Sequence, residues 1–343
     1  MRQGPLLALA AALLFGVSTP IAKLLLGRTD PVLLASLLYL GSGIGLAAWR
    51  LSGRSHRSET QLSRGDWPWL AGAVLAGGVV APVLLLVGLS RTSAASASLL
   101  LNLEGVFTAL LAWFVFRENF DRRIALGMAA ILIGAAILSW SGPGGLTWGG
   151  LLVVAACAAW AIDNNLTRKI SAADSAQIAM YKGLVAGTVN AGIALGQGTP
   201  FPAASVVSFA MLLGLASYGL SLTLFVRALR LLGTARTSAY FSTATFAGAV
   251  LSLILLPEVP TVRLGAGGLL MVLGVWLHWT ERHAHVHTHL PIRHAHSHRH
   301  DEHHQHAHRP TDPAGEPHSH EHTHERLTHK HPHYPDIHHR HPH

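Results

Sequence analysis

Glu104 stands about ten residues into an apolar run, Ala94–Phe116, with Asn102 just before it and Trp113 about two turns after it. A charged side chain at that depth costs roughly 2.5–3.5 kcal/mol on insertion and marks a functional candidate. Two roles fit it. The carboxylate lines a cavity and binds a cationic substrate or a proton, or it makes a hydrogen bond that packs one helix on another. A second polar cluster, Asp163-Asn164-Asn165, falls late in the apolar run Trp148–Leu166. Three consecutive polar residues there either break the helix and offer oxygen ligands to a cation, or mark its fraying end ahead of Arg168-Lys169. Lys182, early in the run Ala176–Leu195, can pair with Asp163 or snorkel its ammonium to the interface. Trp160 is internal to its run and can face the cavity beside Asp163. The candidate substrate-binding set is therefore Glu104, Asn102, Asp163, Asn164, Lys182 and Trp160. Lys23, Glu118 and Glu258 sit at run ends, where orienting, capping or gating a vestibule is the expected role.

The other chemistry-bearing feature is the C-terminal segment. Of 25 histidines, 23 lie from His283 onward. The His-x-His runs are His283, His285, His287 and His289, then His294, His296, His298 and His300, then His318, His320, His322 and His324, and finally His329, His331 and His333. Neutral imidazole suits zinc, nickel, cobalt and copper. The tail is expected to bind such divalent metals at many overlapping sites with little selectivity, whereas the rest of the chain requires no cofactor. Protonation near pH ~6.5 would charge it heavily, so a pH-responsive or solubilising tail is the competing reading. Repeated prolines and almost no apolar residues leave it nothing to bury, and disorder is expected.

The elements that position these residues are membrane helices. The chain is 50% hydrophobic and only 12% charged, against about 25% charged for a soluble domain. Mean hydropathy is +0.36 despite the polar tail, so the part before Glu281 is far more apolar. A spanning helix needs about 20 apolar residues. Ten runs approach this: Pro5–Leu26, Pro31–Leu51, Trp69–Leu89, Ala94–Phe116, Ile124–Trp140, Trp148–Leu166, Ala176–Leu195, Val206–Leu229, Ala235–Leu256 and Val262–Thr280. The first could pass for a signal peptide, but without a clean cleavage context it reads as a retained helix. The lone Cys157 excludes a disulfide framework and a Cys-rich zinc site; it reads as a small buried apolar residue. Basic residues in the connectors fall about fourteen to four on the side of both termini, which places the termini in the cytoplasm of a multi-pass inner (plasma) membrane protein. The +8 formal charge is thereby assigned to orientation, with no nucleic-acid partner. Trp49, Trp67, Trp69, Trp140, Trp148, Trp276 and Trp279 fall at run ends, as interface anchors should.

The chain contains one stretch twice. Leu84–Glu118 and Leu224–Glu258, 140 residues apart, each show an apolar run, a Ser/Ala/Thr-rich restart and a second apolar run closing on Glu. Leu14-Phe15-Gly16-Val17-Ser18-Thr19-Pro20 lines up with Ala159-Trp160-Ala161-Ile162-Asp163-Asn164-Asn165. Tyr39-Leu40-Gly41 lines up with Tyr181-Lys182-Gly183. Gly41-x-x-x-Gly45 and Gly183-x-x-x-Gly187 occupy matching places and predict close helix packing. The joint is the breaker cluster Ser141-Gly142-Pro143-Gly144-Gly145. Five spans per half, an odd number, turn the second half upside down in the membrane. The expected fold is an all-α polytopic membrane protein. Residues 1–140 form the first five-helix repeat, 141–147 a linker, 148–280 the inverted second repeat and 281–343 a disordered His-rich tail.

These residues resemble the EamA family of the drug/metabolite transporter superfamily over residues 5 to about 280. The resemblance implies ten helices in two inverted halves, transport activity and a basic residue near Lys182. One departure is Gly105, where the family often has proline after the glutamate. The closing run Leu327–His341 also looks like the tails of some family members associated with transition-metal handling.

The sequence therefore points to a secondary transporter working by alternating access. No G-x-x-x-x-G-K-[ST] loop is present, so a gradient must drive it, and export fits the family tendency. The first expectation is efflux of transition-metal cations (nickel, cobalt or zinc) through Glu104 and Asp163. A second is export of a small metabolite or amino acid under a metal- or pH-sensing tail. A third is a membrane-anchored metal buffer. Short loops and the lack of a nucleophile–base constellation argue against an enzyme. The expected partners are the lipid bilayer, a small-molecule or metal substrate and a second copy of the chain in a homodimer.

Overall fold

The computed structural model describes residues 3–52, 61–116, 122–140 and 147–280, and in the tail 284–289, 292–298, 318–324 and 327–332. Among the described residues, eight helices are long and apolar enough to cross a membrane. They are α1 (Gln3–Leu26), α2 (Pro31–Leu51), α3 (Arg64–Ser90), α4 (Ala94–Val115), α6 (Trp148–Lys169), α7 (Ser175–Gly196), α8 (Ala204–Gly233) and α9 (Arg236–Leu255). The fifth and tenth places are taken by α5 (Arg122–Ser139) and α10 (Val262–Trp279); their apolar stretches, Ala125–Ser139 and Val262–Leu277, are shorter.

Helix starts are set by side chains that take up the free backbone N–H groups of the first turn. Asp30 accepts from the N–H of Val32 at 2.7 Å and of Leu33 at 3.3 Å ahead of α2, whose first residue is Pro31. Thr147 and Thr261 do the same for α6 and α10. Asp174 caps α7 through Ala176 and Gln177, and its other carboxylate oxygen pairs with Arg50 at the end of α2. The turn between α8 and α9 is made by Gly233 at φ 73° and ψ 177°, a conformation that favours glycine because it has no Cβ to clash.

The two halves are interleaved. Packing across the halves joins α1 with α8, α2 with α7 and α8, α3 with α6, α4 with α6 and α9, and α5 with α10. Every helix of one half leans on a helix of the other, as an approximate two-fold axis in the membrane plane requires. The Gly-x-x-x-Gly helices are the tightest contact. A Cβ on Gly43 would meet the backbone of Gly183 and Leu184, one on Gly187 would meet Leu40, and one on Gly41 would meet the Met211 backbone of α8. Apolar side chains such as Leu6, Leu75, Phe114, Leu212 and Leu269 point outward at more than half of full exposure. A membrane solvates such a surface at no cost, whereas water does not.

Helices α3 and α8 each carry one π-helical segment, Val74–Val80 and Leu215–Leu220, at the same place in the two repeats. Such wide turns shift the backbone ladder and gather at functional sites. In the tail, Ala284–His289 (β1) pairs antiparallel with Leu327–Pro332 (β4), and Ile292–His298 (β2) with His318–His324 (β3). Each sheet has two strands where the sequence leads one to expect disorder; a lone two-stranded ribbon is marginal in water. His283, His300 and His333 lie outside the described residues, as does Glu118.

Candidate functional site at the seam of the two halves

Lys182 is the largest fully buried side chain in the described structure, 1% exposed, and Asp163 is 4% exposed. They meet across α6 and α7. The Lys182 ammonium donates to both Asp163 carboxylate oxygens at 2.6 Å and reaches Thr167 at 3.4 Å. Thr167, one helical turn after Asp163, donates to it at 2.8 Å. Burying two ions is costly unless they are paired and their remaining lone pairs are used, and here both conditions hold. The snorkelling alternative for Lys182 therefore gives way to the pair. Asp163-Asn164-Asn165 neither breaks the helix nor frays. α6 runs through to Lys169 and all three residues are buried, because neighbouring helices supply their hydrogen-bond partners.

Asn164 joins this cluster to the first half. Its amide donates to Glu104 at 2.8 Å and to Thr108 at 3.3 Å, both on α4. Asn165 turns away, to the carbonyls of Thr108 and Ala161. Asn102 also turns away: its amide donates to the Leu99 carbonyl and lies 3.7 Å from the Met271 sulfur. Of the six candidates, Glu104, Trp160, Asp163, Asn164 and Lys182 come together around one cavity and Asn102 does not. Among the described residues Glu104 has no ion-pair partner, while the cavity's cation is committed to Asp163.

The cavity and the open solvent at its mouth together make up about 460 Å³ of atom-free space. The sequence did not point to most of its walls: Phe15, Tyr39, Ser217, Tyr218, Ser221, Leu222, Phe225 and Phe241. Phe15 is the hub, 6.0 Å from Trp160, 5.6 Å from Tyr218 and 5.2 Å from Phe241, ring centre to ring centre. Tyr39 packs at a tilt against Tyr218 at 5.2 Å, and Phe225 meets Phe241 edge to face at 4.8 Å. One signal was present, since Phe15 and Trp160 occupy matching places in the aligned repeats. An aromatic at both faces the two-fold seam from opposite sides.

The π-helical segment of α3 holds two of the lining side chains in place. Its Gly77 carbonyl accepts from the Tyr39 hydroxyl at 2.6 Å and the Trp160 indole N–H at 2.9 Å, and the next carbonyl, Gly78, accepts from Asn190 at 3.2 Å. Position 77 must be glycine because a Cβ there would run into the Asp163 carboxylate. The equivalent segment of α8 contributes Ser217 and Tyr218 to the wall.

At the face opposite the termini, the first-half loop after α3 is gripped from two sides. Lys23 donates to the carbonyls of Leu89 and Thr92 at 2.6 and 2.8 Å. Glu258, from the second half, accepts from the N–H groups of Ala94 and Ala95 at 2.6 and 2.9 Å.

An inverted repeat of apolar helices with a polar, aromatic-walled cavity at its seam is an architecture characteristic of secondary transporters. The sequence model of the EamA-like transporter family matches residues 2–140 and again 147–280. The chain belongs to the EamA-like transporter family. It is 31% identical over 294 residues to an uncharacterized transporter of Methanothermobacter thermautotrophicus, covering 80% of this chain and 85% of that protein. It is 37% identical over 115 residues to a probable 4-amino-4-deoxy-L-arabinose-phosphoundecaprenol flippase subunit ArnE of Pseudomonas aeruginosa, 32% of this chain and 96% of that one. That relative is therefore about the size of a single repeat. One solved crystal structure shares the fold, with a TM-score of 0.63 at 19% identity over 80% of this chain and 94% of the other.

Proposed function

We propose that the chain exports a small organic solute by alternating access, with the seam cavity as its binding site. One observation carries this reading. Both halves contribute ionisable groups to a single cavity, half-buried Glu104 from the first and buried Asp163 with Lys182 from the second. Ionisable groups within membrane helices face the bundle interior or a water-filled cavity and mark substrate pathways, and a site shared by both halves is remade each time they rearrange. The connectors' basic residues put both termini in the cytoplasm, with the bilayer as the surrounding partner and a gradient as the drive.

The choice between a metal and an organic cargo follows from the donor set. Transition metals favour imidazole and thiolate, and the cavity lining contains neither. Among the described residues no three of His, Cys, Asp and Glu gather as a metal site. Nickel, cobalt or zinc efflux through Glu104 and Asp163 is thus the weaker reading of the cavity. The histidine tail keeps its separate role as a cytoplasmic metal-binding arm of low selectivity. The name of the ArnE relative describes a cargo with an amino group, which agrees with an acidic, organic site here.

The test is reconstitution. Proteoliposomes are loaded with a defined pool of amines, amino acids, sugars and nickel, and release is followed against protein-free vesicles. One organic class should leave faster, and Lys182→Ala should stop it. Release no faster than from protein-free vesicles, under either direction of proton gradient, defeats the proposal. Release of nickel alone restores the metal reading.

A further inference from the structure

Resting on the cavity as the transport site, we propose that its solute is an organic ammonium ion with an apolar, preferably aromatic, body, whose charge is taken by Glu104. Three observations converge. The first is charge. The lining carries two carboxylates and one cation, and Lys182 spends itself on both oxygens of Asp163 at 2.6 Å. Glu104 is held by a neutral amide, Asn164 at 2.8 Å. With all three groups ionised the cavity is one positive charge short of neutral. In a low-dielectric site a cationic ligand is the direct way to supply that charge.

The second observation is the wall. Six aromatic side chains line the cavity, Phe15, Tyr39, Trp160, Tyr218, Phe225 and Phe241, in a chain only 7% aromatic. Aromatic faces carry negative potential and attract ammonium groups, most strongly when water is excluded. They also give an apolar body a large contact surface. The third is what these walls disfavour. A hydrated inorganic cation needs several oxygen ligands, and most of this surface is hydrocarbon. A carboxylate or phosphate would face Glu104 with no uncommitted cation in the lining to answer it.

The positioning is built in. Asn164 fixes the Glu104 carboxylate while also donating to Thr108 one turn further along α4. Phe15 ties the rings of α1, α6, α8 and α9 together. Rearrangement of the halves thus changes the carboxylate's setting and the cage at once, so that binding and release of an ammonium ion accompany the change of access.

The experiment measures equilibrium binding, so it is independent of transport. Purified full-length protein in nanodiscs is titrated with phenethylamine and tetraethylammonium, with phenethyl alcohol and 3-phenylpropionate as the neutral and anionic counterparts, and with nickel on protein cut after Arg282. Quenching of tryptophan fluorescence and calorimetry are read together. The ammonium ions should bind about tenfold or more tightly than the alcohol or the carboxylate. Glu104→Gln should erase that preference and Glu104→Asp should keep part of it. Phe241→Leu, which leaves every charge in place, should weaken phenethylamine more than it weakens tetraethylammonium. Equal binding of amine and alcohol, a preference for the carboxylate, binding of nickel alone, or an ammonium preference untouched by Glu104→Gln each overturns the inference. If vesicles release some other organic class through a Lys182-dependent route, the transport reading survives and this one falls. If nothing is released while ammonium binding is intact, the reverse holds.

Discussion

Removing the Lys182 amine should cost more stability than removing both members of its ion pair. With Lys182 at 1% and Asp163 at 4% exposure, Lys182→Met leaves a carboxylate without its counter-ion among helices. Two charges 2.6 Å apart attract by about 6 kcal/mol at an effective dielectric constant of ~20. Desolvation of both ions offsets most of that, so the pair contributes little net. An orphaned ion keeps its desolvation cost and loses its attraction, and breaking such a pair from one side costs roughly 3–5 kcal/mol. The midpoint shift for a chain of this size is on the order of 10 °C. The double change Asp163→Asn with Lys182→Met removes both charges and should regain most of the loss. The assay is thermal unfolding in detergent, followed by tryptophan fluorescence, for wild type, both single variants and the double. Transport should be lost in all three variants. A Lys182→Met midpoint within about 2 °C of wild type, or a double variant less stable than either single one, refutes the reasoning that the pair is buried and mutually dependent.

Other outcomes follow from the same geometry. Gly77→Ala should abolish transport and lower the unfolding midpoint, because the new Cβ displaces Asp163, whereas Gly192→Ala meets nothing within 4 Å and should be silent in both assays. Glu258→Ala strips two amides of their acceptor and should lower stability by about 1.5–3 kcal/mol. With the cross-half contact gone, cysteine labelling from the face opposite the termini should reach positions near Phe15 faster. Cutting the chain after Arg282 should remove most bound nickel or zinc in equilibrium dialysis and leave organic-solute transport at the wild-type rate. Metal stoichiometry that survives the cut would put the metal sites in the membrane body.

The sequence by itself determined the apolar helices, their duplication and the places of the charged residues along them. Those properties are local or periodic. Twenty apolar residues in a row have one stable backbone arrangement in hydrocarbon, and an odd number of spans per repeat fixes the relative direction of the halves. The Gly-x-x-x-Gly stripes of α2 and α7 were legible for the same reason, since spacing on a helix face is written in the chain. Glu104, Asp163 and Lys182 stood out because charge in an apolar run is rare and costly.

What only the tertiary structure decided was partnership. Asn102 and Glu104 are two residues apart, about 200° around a helix, so one reaches Met271 while the other faces Asn164. Sequence distance suggested company where helix geometry separates them. Asp163-Asn164-Asn165 reads as a break until the neighbouring helices supply Lys182, Glu104 and Thr108 as partners, after which an unbroken helix can bury all three residues. Most of the aromatic cage was invisible because Phe and Tyr in an apolar run look like any lipid-facing side chain. Only the packing of α1 against α8 and α9 turns Phe15, Tyr218 and Phe241 inward and makes a binding site of them.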